Sequence, residues 1–293
     1  MAVLELPTAP KLQKPPWLRK RLPPLEPYQE MRALLRTALV HTVCQEARCP
    51  NHWECFSRKT ATFLILGYVC TRQCRFCAVR HGVPQPVDPE EPARIAETVR
   101  RLGLRYVVIT SVTRDDLSDG GASVFAHTIH TVRTAVAGTL VELLIPDFQG
   151  DYAALEVVLQ AGPAVLNHNI ETVPRLYGTV RPQADYRRSL VLLRTAFTMA
   201  PHVPLKSGIM LGLGETHDEV LHTLDELLES GCRLLTLGQY LQPASHLLPV
   251  ARYVPPEEFD AWRDKALSMG FHQVASGPWV RSSYQAHDLY RAP

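Results

Sequence analysis

The sequence predicts an α/β protein built around a parallel β-sheet. Short runs rich in Leu or β-branched residues alternate with longer amphipathic stretches, as strands and helices do in such proteins. The first run, residues 61–69, is apolar throughout, which is typical of a strand buried on both faces. Alternation of this kind indicates right-handed crossovers, so the sheet is either doubly wound or closed into a barrel.

Six βα units account for most of the chain. A helix is predicted before them at residues 28–40 and another after them at 256–269, while residues 44–55 have no periodicity and are expected to form a loop. Residues 7–27 are rich in Pro, Lys and Arg and are expected to form an extended arm. After the first strand, the predicted strands span residues 106–110, 140–145, 164–169, 203–211 and 234–238, and the predicted helices span 91–102, 122–135, 152–160, 186–200 and 216–230.

Composition and charge argue against several classes of protein. The 293 residues are 46% apolar and 20% charged, with a net charge of +2, which is ordinary for a globular protein. This mild charge predicts no nucleic-acid partner, and no apolar run approaches the ~20 residues of a membrane span. Seven cysteines without a signal peptide favour a reducing compartment over a disulfide framework, so we expect a cytoplasmic protein.

Six of the seven cysteines form two triplets, and the seventh, Cys232, is expected to pack in the core. The first triplet is spaced C-x4-C-x5-C. The second is spaced C-x3-C-x2-C and directly follows the first predicted strand. Their members are Cys44, Cys49 and Cys55, and Cys70, Cys74 and Cys77.

Structural zinc is one interpretation of the triplets. Such sites use C-x2-4-C pairs, often with histidine, and neither triplet has a second pair or an adjacent H-x3-5-H run. Thiolates in a compact loop also hold iron–sulfur clusters, which ordinarily take four cysteines. Because three cysteines leave one iron open to a substrate or cofactor, the triplets favour catalysis over simple electron transport.

Polar residues follow several predicted strands, at the end of a parallel sheet where functional sites lie. A carboxylate at Glu171 suits hydrogen bonds from ribose hydroxyls, although helix capping would also explain Glu171 and Asn169. Thr110 and Ser111 are consistent with ligand binding or with a turn. The other such segments are residues 208–215 and 238–240. We expect all of them to converge beside the second triplet.

The second triplet and the glycine-rich residues 208–215 resemble the radical S-adenosylmethionine superfamily. The resemblance implies a partial (β/α)6 TIM-like barrel with N- and C-terminal extensions covering its open side. It also implies a [4Fe-4S] cluster on the second triplet, whose open iron chelates S-adenosylmethionine, and Phe76 beside the adenine. The further cofactor-binding residues that we assign on this basis are Thr110, Ser111, Asn169, Glu171, Lys206, Met210 and Gln239.

Further motifs resemble the lipoyl synthase family within that superfamily. They are the first triplet, S-V-T-R-D-D at residues 111–116, N-H-N-I-E-T at 167–172 and R-S-S-Y at 281–284. The resemblance implies an auxiliary [4Fe-4S] cluster on the first triplet, with Ser283 as an unusual oxygen ligand. Arg281 of the same motif joins the expected catalytic residues, with Ser283 and the second triplet.

The reaction implied is insertion of two sulfur atoms at C6 and C8 of a protein-bound octanoyl-lysine, with the auxiliary cluster as sulfur donor. Two molecules of S-adenosylmethionine are used per lipoyl group. Implied partners are an octanoylated carrier domain, from a 2-oxoacid dehydrogenase acyltransferase or the glycine cleavage H protein, and an electron donor such as flavodoxin or ferredoxin.

The resemblance also divides the chain into three parts and leaves two alternatives for its function. The parts are an N-terminal arm, helix and auxiliary-cluster loop (1–58), a radical S-adenosylmethionine core (59–275) and a tail (276–293). The alternatives are another radical sulfur-inserting enzyme, similar to biotin synthase, and a non-catalytic iron–sulfur carrier.

Overall fold

The computed structural model describes residues 12–290 of the chain. Residues 7–11 of the predicted arm and residues 291–293 of the tail lie outside this part. Within it, eight strands form one sheet in the order β1-β2-β5-β6-β7-β8-β9-β10, and β3 pairs with β4 separately. The strands are β1 (His41–Thr42), β2 (Thr62–Ile65), β3 (Val69–Cys70), β4 (Arg80–His81), β5 (Tyr106–Ser111), β6 (Leu140–Leu144), β7 (Val165–Asn167), β8 (Leu205–Leu211), β9 (Leu234–Gln239) and β10 (Gln273–Gly277).

Eleven α-helices lie in the described residues, and six of them connect successive parallel strands. The helices are α1 (Leu25–Thr37), α2 (Val43–Glu46), α3 (His52–Ser57), α4 (Glu91–Leu102), α5 (Ala122–Ala135), α6 (Tyr152–Gln160), α7 (Tyr177–Val180), α8 (Tyr186–Met199), α9 (His217–Glu229), α10 (Pro256–Met269) and α11 (Ala286–Leu289). The crossover helices are α4, α5, α6, α8, α9 and α10. None of the helices between residues 12 and 290 has the length and apolar character needed to cross a membrane.

The sheet is an open, partial barrel, as predicted. Seven strands from β2 to β10 run parallel, and β1 adds to β2 in the antiparallel sense. All six predicted strands are neighbours in this sheet. The seventh parallel strand, β10, was not predicted, because its sequence QVASG is small and polar and each of its residues is only half-buried. Its pairing with β9 comes from tertiary contact.

The predicted loop at residues 44–55 is wrong, because it contains α2 and α3. Thr42 caps α2 by accepting a hydrogen bond from the backbone amide of Gln45 at 3.3 Å. Helix α3 is stabilised by packing, since Trp53 stacks on Tyr28 of α1 with ring centroids 3.8 Å apart. Helices this short have no periodicity to read in the sequence, so tertiary contacts fix them: α3 packs on α1, and α2 packs on β1 and β2.

The core lies between the sheet and its crossover helices. Phe63, Ile109 and Leu143 of the strands are fully buried against helix residues such as Ile95 and Phe125. The opposite, concave face of the sheet is more polar. It carries buried charged and amide side chains and meets the N- and C-terminal segments of the described chain. The concave face therefore forms the site.

Candidate active site

The second triplet lies on a loop just beyond the first parallel strand. That strand ends at Ile65, four residues earlier than predicted, because Leu66 and Gly67 turn the chain with φ of +66° and +84°. The chain then forms β3, which pairs with β4 on the far side of the loop. The backbone amide of Gly82 donates to the carbonyl oxygen of Cys70 at 3.0 Å, so both ends of the loop are fixed.

The segment after β5 holds this loop from one side. The backbone amide and the hydroxyl of Thr71 both donate to the carbonyl oxygen of Thr113 at 3.0 Å, and the amide of Asp115 donates to the Thr71 hydroxyl at 3.1 Å. The amide of Thr113 also points at the sulfur of Cys70, 3.3 Å away. An amide directed at a sulfur stabilises a thiolate, so this segment supports metal binding by Cys70.

Arg72 anchors the same loop through two carboxylates. Its guanidinium donates to Asp115 at 2.6 and 2.8 Å and to Asp147 at 2.6 Å. The side chains of Arg72 and Asp147 are only 4% and 1% exposed. Burial alone would lower the pKa of Arg72, but these carboxylates raise it above its usual value, so Arg72 is charged. The loop is therefore tied to the strand ends of β5 and β6.

The thiols of the second triplet are close, half-buried neighbours. Burial, together with the charges of Cys74 and Cys70, raises the pKa of Cys77 to about 12. Burial also raises the pKa of Cys74, although the nearby Arg181 opposes the rise. Thiols in this state are protonated until a metal displaces the protons.

The donor set fits a cluster better than a single ion. Within residues 12–290, no three His, Cys, Asp or Glu side chains converge on a point that would hold one metal ion. Thiolates are the ligands of iron–sulfur clusters, in which the cysteines bind separate irons. Both triplets supply thiols alone, in compact segments, so the residues present are suitable for clusters.

Two of the predicted cofactor-binding residues following β7 lie beside the second triplet. Glu171 has φ of +67° and forms a bridge with Ile209, while Asn169 donates to the Glu171 carboxylate at 3.1 Å. Burial raises the pKa of Glu171, and the charge of Arg181 opposes the rise. The non-glycine positive φ turns this carboxylate away from the strand direction, a strain that is typical of functional sites.

The two residues predicted at the end of β5 differ in whether their hydroxyl groups are free to bind a ligand. The hydroxyl of Thr110 donates to the carbonyl oxygen of Leu144 at 2.9 Å and is occupied in the sheet. The hydroxyl of Ser111 is buried and has no hydrogen-bond partner within the described residues. A buried polar atom without a partner is costly, so Ser111 is the better candidate for a ligand contact.

Phe76 and Met210 contribute to a small apolar cluster beside the triplet. Both pack against the buried side chains of Val180, Tyr240 and Leu248. The amide of Arg75 donates to the carbonyl oxygen of Val180, which fixes the loop against this cluster. A planar apolar group would be held here by stacking and burial.

Lys206 and Gln239 are occupied by protein contacts. Lys206 is the second residue of β8, and its amine forms a 2.8 Å ion pair with Glu142, in which both side chains are about 1% exposed. The Gln239 amide donates to the carbonyl oxygen of Leu211 at 3.1 Å and accepts from the amide of Val254 at 2.7 Å. Both side chains therefore hold the strands in place.

Arg181 is a site residue that the sequence suggested as a contact for the cofactor carboxylate but did not assign to the site. Its guanidinium donates to the carbonyl oxygen of Asn169 at 3.1 Å, and it lies close enough to Cys74 and Glu171 to act on the pKa of each. Its Nε is buried without a partner in the described residues. The sequence made this role depend on Arg181 ending a strand, and in the structure Arg181 instead follows the last residue of α7.

The first triplet meets the C-terminal tail across a second cavity. All three cysteines line a cavity of about 240 Å³ together with Arg281 and Ser283, and we call it the auxiliary cavity. Burial and the neighbouring thiols together raise the pKa of Cys55 to about 11, and they raise the pKa of Cys44 further still. The structure thus brings together residues from the two ends of the chain.

Arg281 lies between the two triplets. It is half-buried, and desolvation lowers its pKa, while the nearby Cys49 and Glu171 act in the opposite direction. Cys49 belongs to the first triplet, and Glu171 lies beside the second. The guanidinium is therefore close to both sites.

The tail is held against the strand ends on its inner side. The hydroxyl of Ser282 donates to Asn169 Oδ1 at 3.0 Å, and we call this contact the inner anchor. Strand β9 has Gly238 where the tail crosses, since a Cβ there would lie 2.2 Å from the carbonyl oxygen of Val280. The glycine lets the two backbones approach closely. Ser283 follows immediately and faces the auxiliary cavity.

Comparison with known proteins agrees with this architecture. The model of the radical SAM superfamily matches residues 64–227, more than half of the chain. The crystal structure of methylornithine synthase (PylB) aligns with a TM-score of 0.54 at 15% identity, over 88% of this chain and 84% of that one. Streptococcus suis SuiB bound to S-adenosylmethionine aligns with a TM-score of 0.58 at 10% identity, over 77% and 54%. Fold and sequence together define a radical SAM protein.

Curated relatives identify the family within that class. Lipoyl synthase of Desulfotalea psychrophila is 55% identical over 281 residues, which cover 96% of this chain and 94% of the relative. Lipoyl synthase of Rubrobacter xylanophilus is 54% identical over 275 residues, which cover 94% and 86%. The chain belongs to the lipoyl synthase family.

Proposed function

We propose that the protein converts a protein-bound octanoyl-lysine into a lipoyl group by inserting sulfur at C6 and C8. Its relatives carry the name lipoyl synthase at more than half identity over nearly the whole chain. The observation that carries the proposal is the auxiliary cavity, where Ser283 from the tail faces the first triplet. An enzyme with the radical site alone would need no such cavity.

The second triplet is proposed to hold a [4Fe-4S] cluster. When bound, this cluster supplies the electron that cleaves S-adenosylmethionine to a 5'-deoxyadenosyl radical. Arg181 and the free hydroxyl of Ser111 are suited to the carboxylate and amino groups of the cofactor. Glu171 is suited to the ribose, and the apolar cluster around Phe76 to the adenine. Holding these parts in line confines the radical to the bound substrate.

Thr110, Lys206 and Gln239 have their polar atoms engaged elsewhere. We propose that these three residues shape the strand ends, while Asn169 orients Glu171 and Met210 packs beside Phe76. The ion pair of Lys206 with Glu142 leaves neither of these two charges unpaired on the concave face. Paired charges permit an alkyl chain to approach at a lower desolvation cost than a lone charge would.

The first triplet and Ser283 are proposed to hold a second [4Fe-4S] cluster, which supplies the sulfur when bound. The hydroxyl of Ser283 is a harder ligand than a thiolate for a soft iron site, so it is the more easily lost. Arg281 is proposed to balance the negative charge between the two sites. Two molecules of S-adenosylmethionine would be used per lipoyl group, one for each carbon.

The partners follow from the same reaction. The carrier would be the octanoylated domain of a 2-oxoacid dehydrogenase acyltransferase or the glycine cleavage H protein, and flavodoxin or ferredoxin would supply electrons. Thiol-only sites suit a reducing compartment, so we propose a cytoplasmic protein. In the three-part division proposed above, β10 spans the boundary between the core and the tail.

Anaerobic reconstitution followed by turnover tests the proposal. The loaded protein should bind about eight irons as two cubanes. With reductant, S-adenosylmethionine and an octanoylated carrier peptide, mass spectrometry should detect the lipoyl product and about two 5'-deoxyadenosines per product. Cleavage without sulfur insertion would indicate another radical sulfur-inserting enzyme, and no cleavage under strong reduction would indicate a carrier. Either result would reject the proposal.

A further inference from the structure

Three distant segments of the chain meet at the outer side of the auxiliary cavity. The amine of Lys20, in the N-terminal arm, donates to Asn51 Oδ1 at 3.1 Å and to Glu54 Oε2 at 2.9 Å. It also lies over the rings of Trp279 and Tyr284, 4.6 and 5.4 Å from their centroids. We call these five residues the arm–tail latch.

The latch joins the neighbours of two residues that line the auxiliary cavity. The hydroxyl of Tyr284 donates to Glu54 Oε1 at 2.8 Å. Glu54 directly precedes Cys55, and Tyr284 directly follows Ser283. This hydrogen bond therefore sets the position of Ser283 relative to Cys55.

The tail is thus held on both sides of Ser283, by two contacts that differ in their exposure to solvent. The inner anchor on Asn169 is partly buried and lies over the strand ends. The latch is more accessible, since the side chains of Lys20 and Glu54 are 28% and 25% exposed. Of the two, the latch is the contact that can open without disturbing the barrel.

A second contact supports the closed latch. The side-chain amide of Asn51 donates to the carbonyl oxygen of Trp279 at 2.6 Å, and the Trp279 indole donates to the carbonyl oxygen of Trp17 at 3.4 Å. The arm and the tail are therefore linked to each other and to α3. Lys20 is the residue that contacts all the other members of the latch.

We propose that Lys20 is a positioning residue, which holds the Glu54–Tyr284 pair together and keeps Ser283 beside the first triplet. The identity of the group in the auxiliary cavity rests on the proposed function. The closing of the latch is independent of that function. The positive charge of Lys20 satisfies Glu54 and faces two aromatic rings at once, so no neutral side chain replaces it. Without Lys20, the tail is expected to open more often and to expose the cysteines.

Thiol alkylation in the metal-free, full-length protein tests the proposal. N-ethylmaleimide labelling is followed at each cysteine by mass spectrometry. Lys20→Ala should accelerate labelling of Cys49 and Cys55 by about threefold to fivefold, since opening of the tail then no longer breaks the partly exposed ion pair with Glu54. The second triplet should react as in the unsubstituted protein. Lys20→Arg should restore most of the protection, and the exposed Lys14→Ala is the matched control.

Each outcome decides the proposal. If Lys20→Ala reacts like Lys14→Ala, the proposal is overturned. If all cysteines react faster together, the variant has lost its fold and Tyr284→Phe decides, since it removes a single hydroxyl. Faster labelling of Cys49 and Cys55 alone would then support the latch, and unchanged labelling would overturn it. Absence of lipoyl product from the unsubstituted protein would instead reject the proposed function.

Discussion

The two cysteine triplets are held in the protein by different means. The second triplet occupies eight consecutive residues, and its loop is anchored by Arg72 and Asp147, which are almost completely buried. The auxiliary cavity is assembled from both ends of the described chain, and its outer side is closed by partly exposed residues. A site that keeps its cofactor can be built into the barrel. The cluster proposed for the auxiliary cavity is consumed as sulfur donor, so closure by partly exposed residues suits that site.

Removing one cysteine from each triplet should separate the two sites most clearly. Cys77→Ala should lower formation of 5'-deoxyadenosine more than about 100-fold, because the second triplet alone serves cofactor cleavage. Cys49→Ala should retain cleavage within about twofold and yield no lipoyl product. Both products are measured in the same anaerobic assay. Equal loss of cleavage in the two variants would show that the sites do not act separately.

The anchors of the two sites should differ in their effect on stability. Arg72→Met removes the 2.6 Å pair of the buried Asp147 carboxylate and leaves it facing Arg188 at 3.4 Å, which should cost about 3 kcal/mol of unfolding free energy. Lys20→Ala removes a partly exposed pair and should cost less than about 1 kcal/mol. Urea unfolding of the metal-free proteins measures both values.

The Arg72 prediction has an internal control. Combining Arg72→Met with Asp147→Asn removes the buried negative charge that has lost its closer partner, and it should recover part of the lost stability. A double variant no more stable than Arg72→Met would show that packing of the Arg72 side chain, and not its charge, anchors the loop.

Displacing the tail should impair the auxiliary site alone. In Gly238→Ala, the added Cβ would lie 2.2 Å from the carbonyl oxygen of Val280, so the tail must shift at a cost of about 1–3 kcal/mol. Lipoyl formation should fall about tenfold while 5'-deoxyadenosine formation persists, because the tail carries Ser283 whereas the second triplet lies on a separately anchored loop. Gly178→Ala is the matched control, since a Cβ there meets no atom within 4 Å. Equal activity of the two variants would contradict this account of Gly238.

Local signals in the sequence predicted most of the fold. Helices α4 and α10 have their predicted bounds, because an amphipathic period and a proline in the first turn mark each start and a glycine follows each end. The spacing of the cysteines in the second triplet is likewise a signal that lies within one short segment of the sequence. Strand β10 and helix α3 carry no such signal, since their positions depend on β9 and α1.

The parts of the site that depend on contacts between distant segments could not be predicted from the sequence. The motif predicted a role for Ser283, but only the path of the tail over Gly238 brings it to the auxiliary cavity. Lys206 and Gln239 were predicted as cofactor contacts because they lie in strands that lead to the site. The direction of each side chain and the presence of Glu142 decide what they contact, and neither can be read from the sequence.

Acid sensitivity gives the smallest expected contrast between the two sites. Burial alone would raise the pKa of Asp147, but Arg72 and His168 hold it at about 2, below its ordinary 3.8. Between these two pH values the unfolded chain binds more protons than the folded protein does. Asp147 should therefore contribute about 2 kcal/mol to the free energy of unfolding above pH 4, and this contribution is lost as the pH falls.

Glu54 supplies the comparison from the latch. Its pKa is also lowered, since hydrogen bonds from Lys20 and Tyr284 outweigh its burial, but it is partly exposed and screened by salt. Urea unfolding of metal-free protein at pH 4.5 and 2.5 should show a shallower pH dependence in Asp147→Asn than in the unsubstituted protein. Glu54→Gln should change that dependence less, and only at low salt. A larger change in Glu54→Gln would mean that the latch, and not the barrel loop, is the more tightly held of the two.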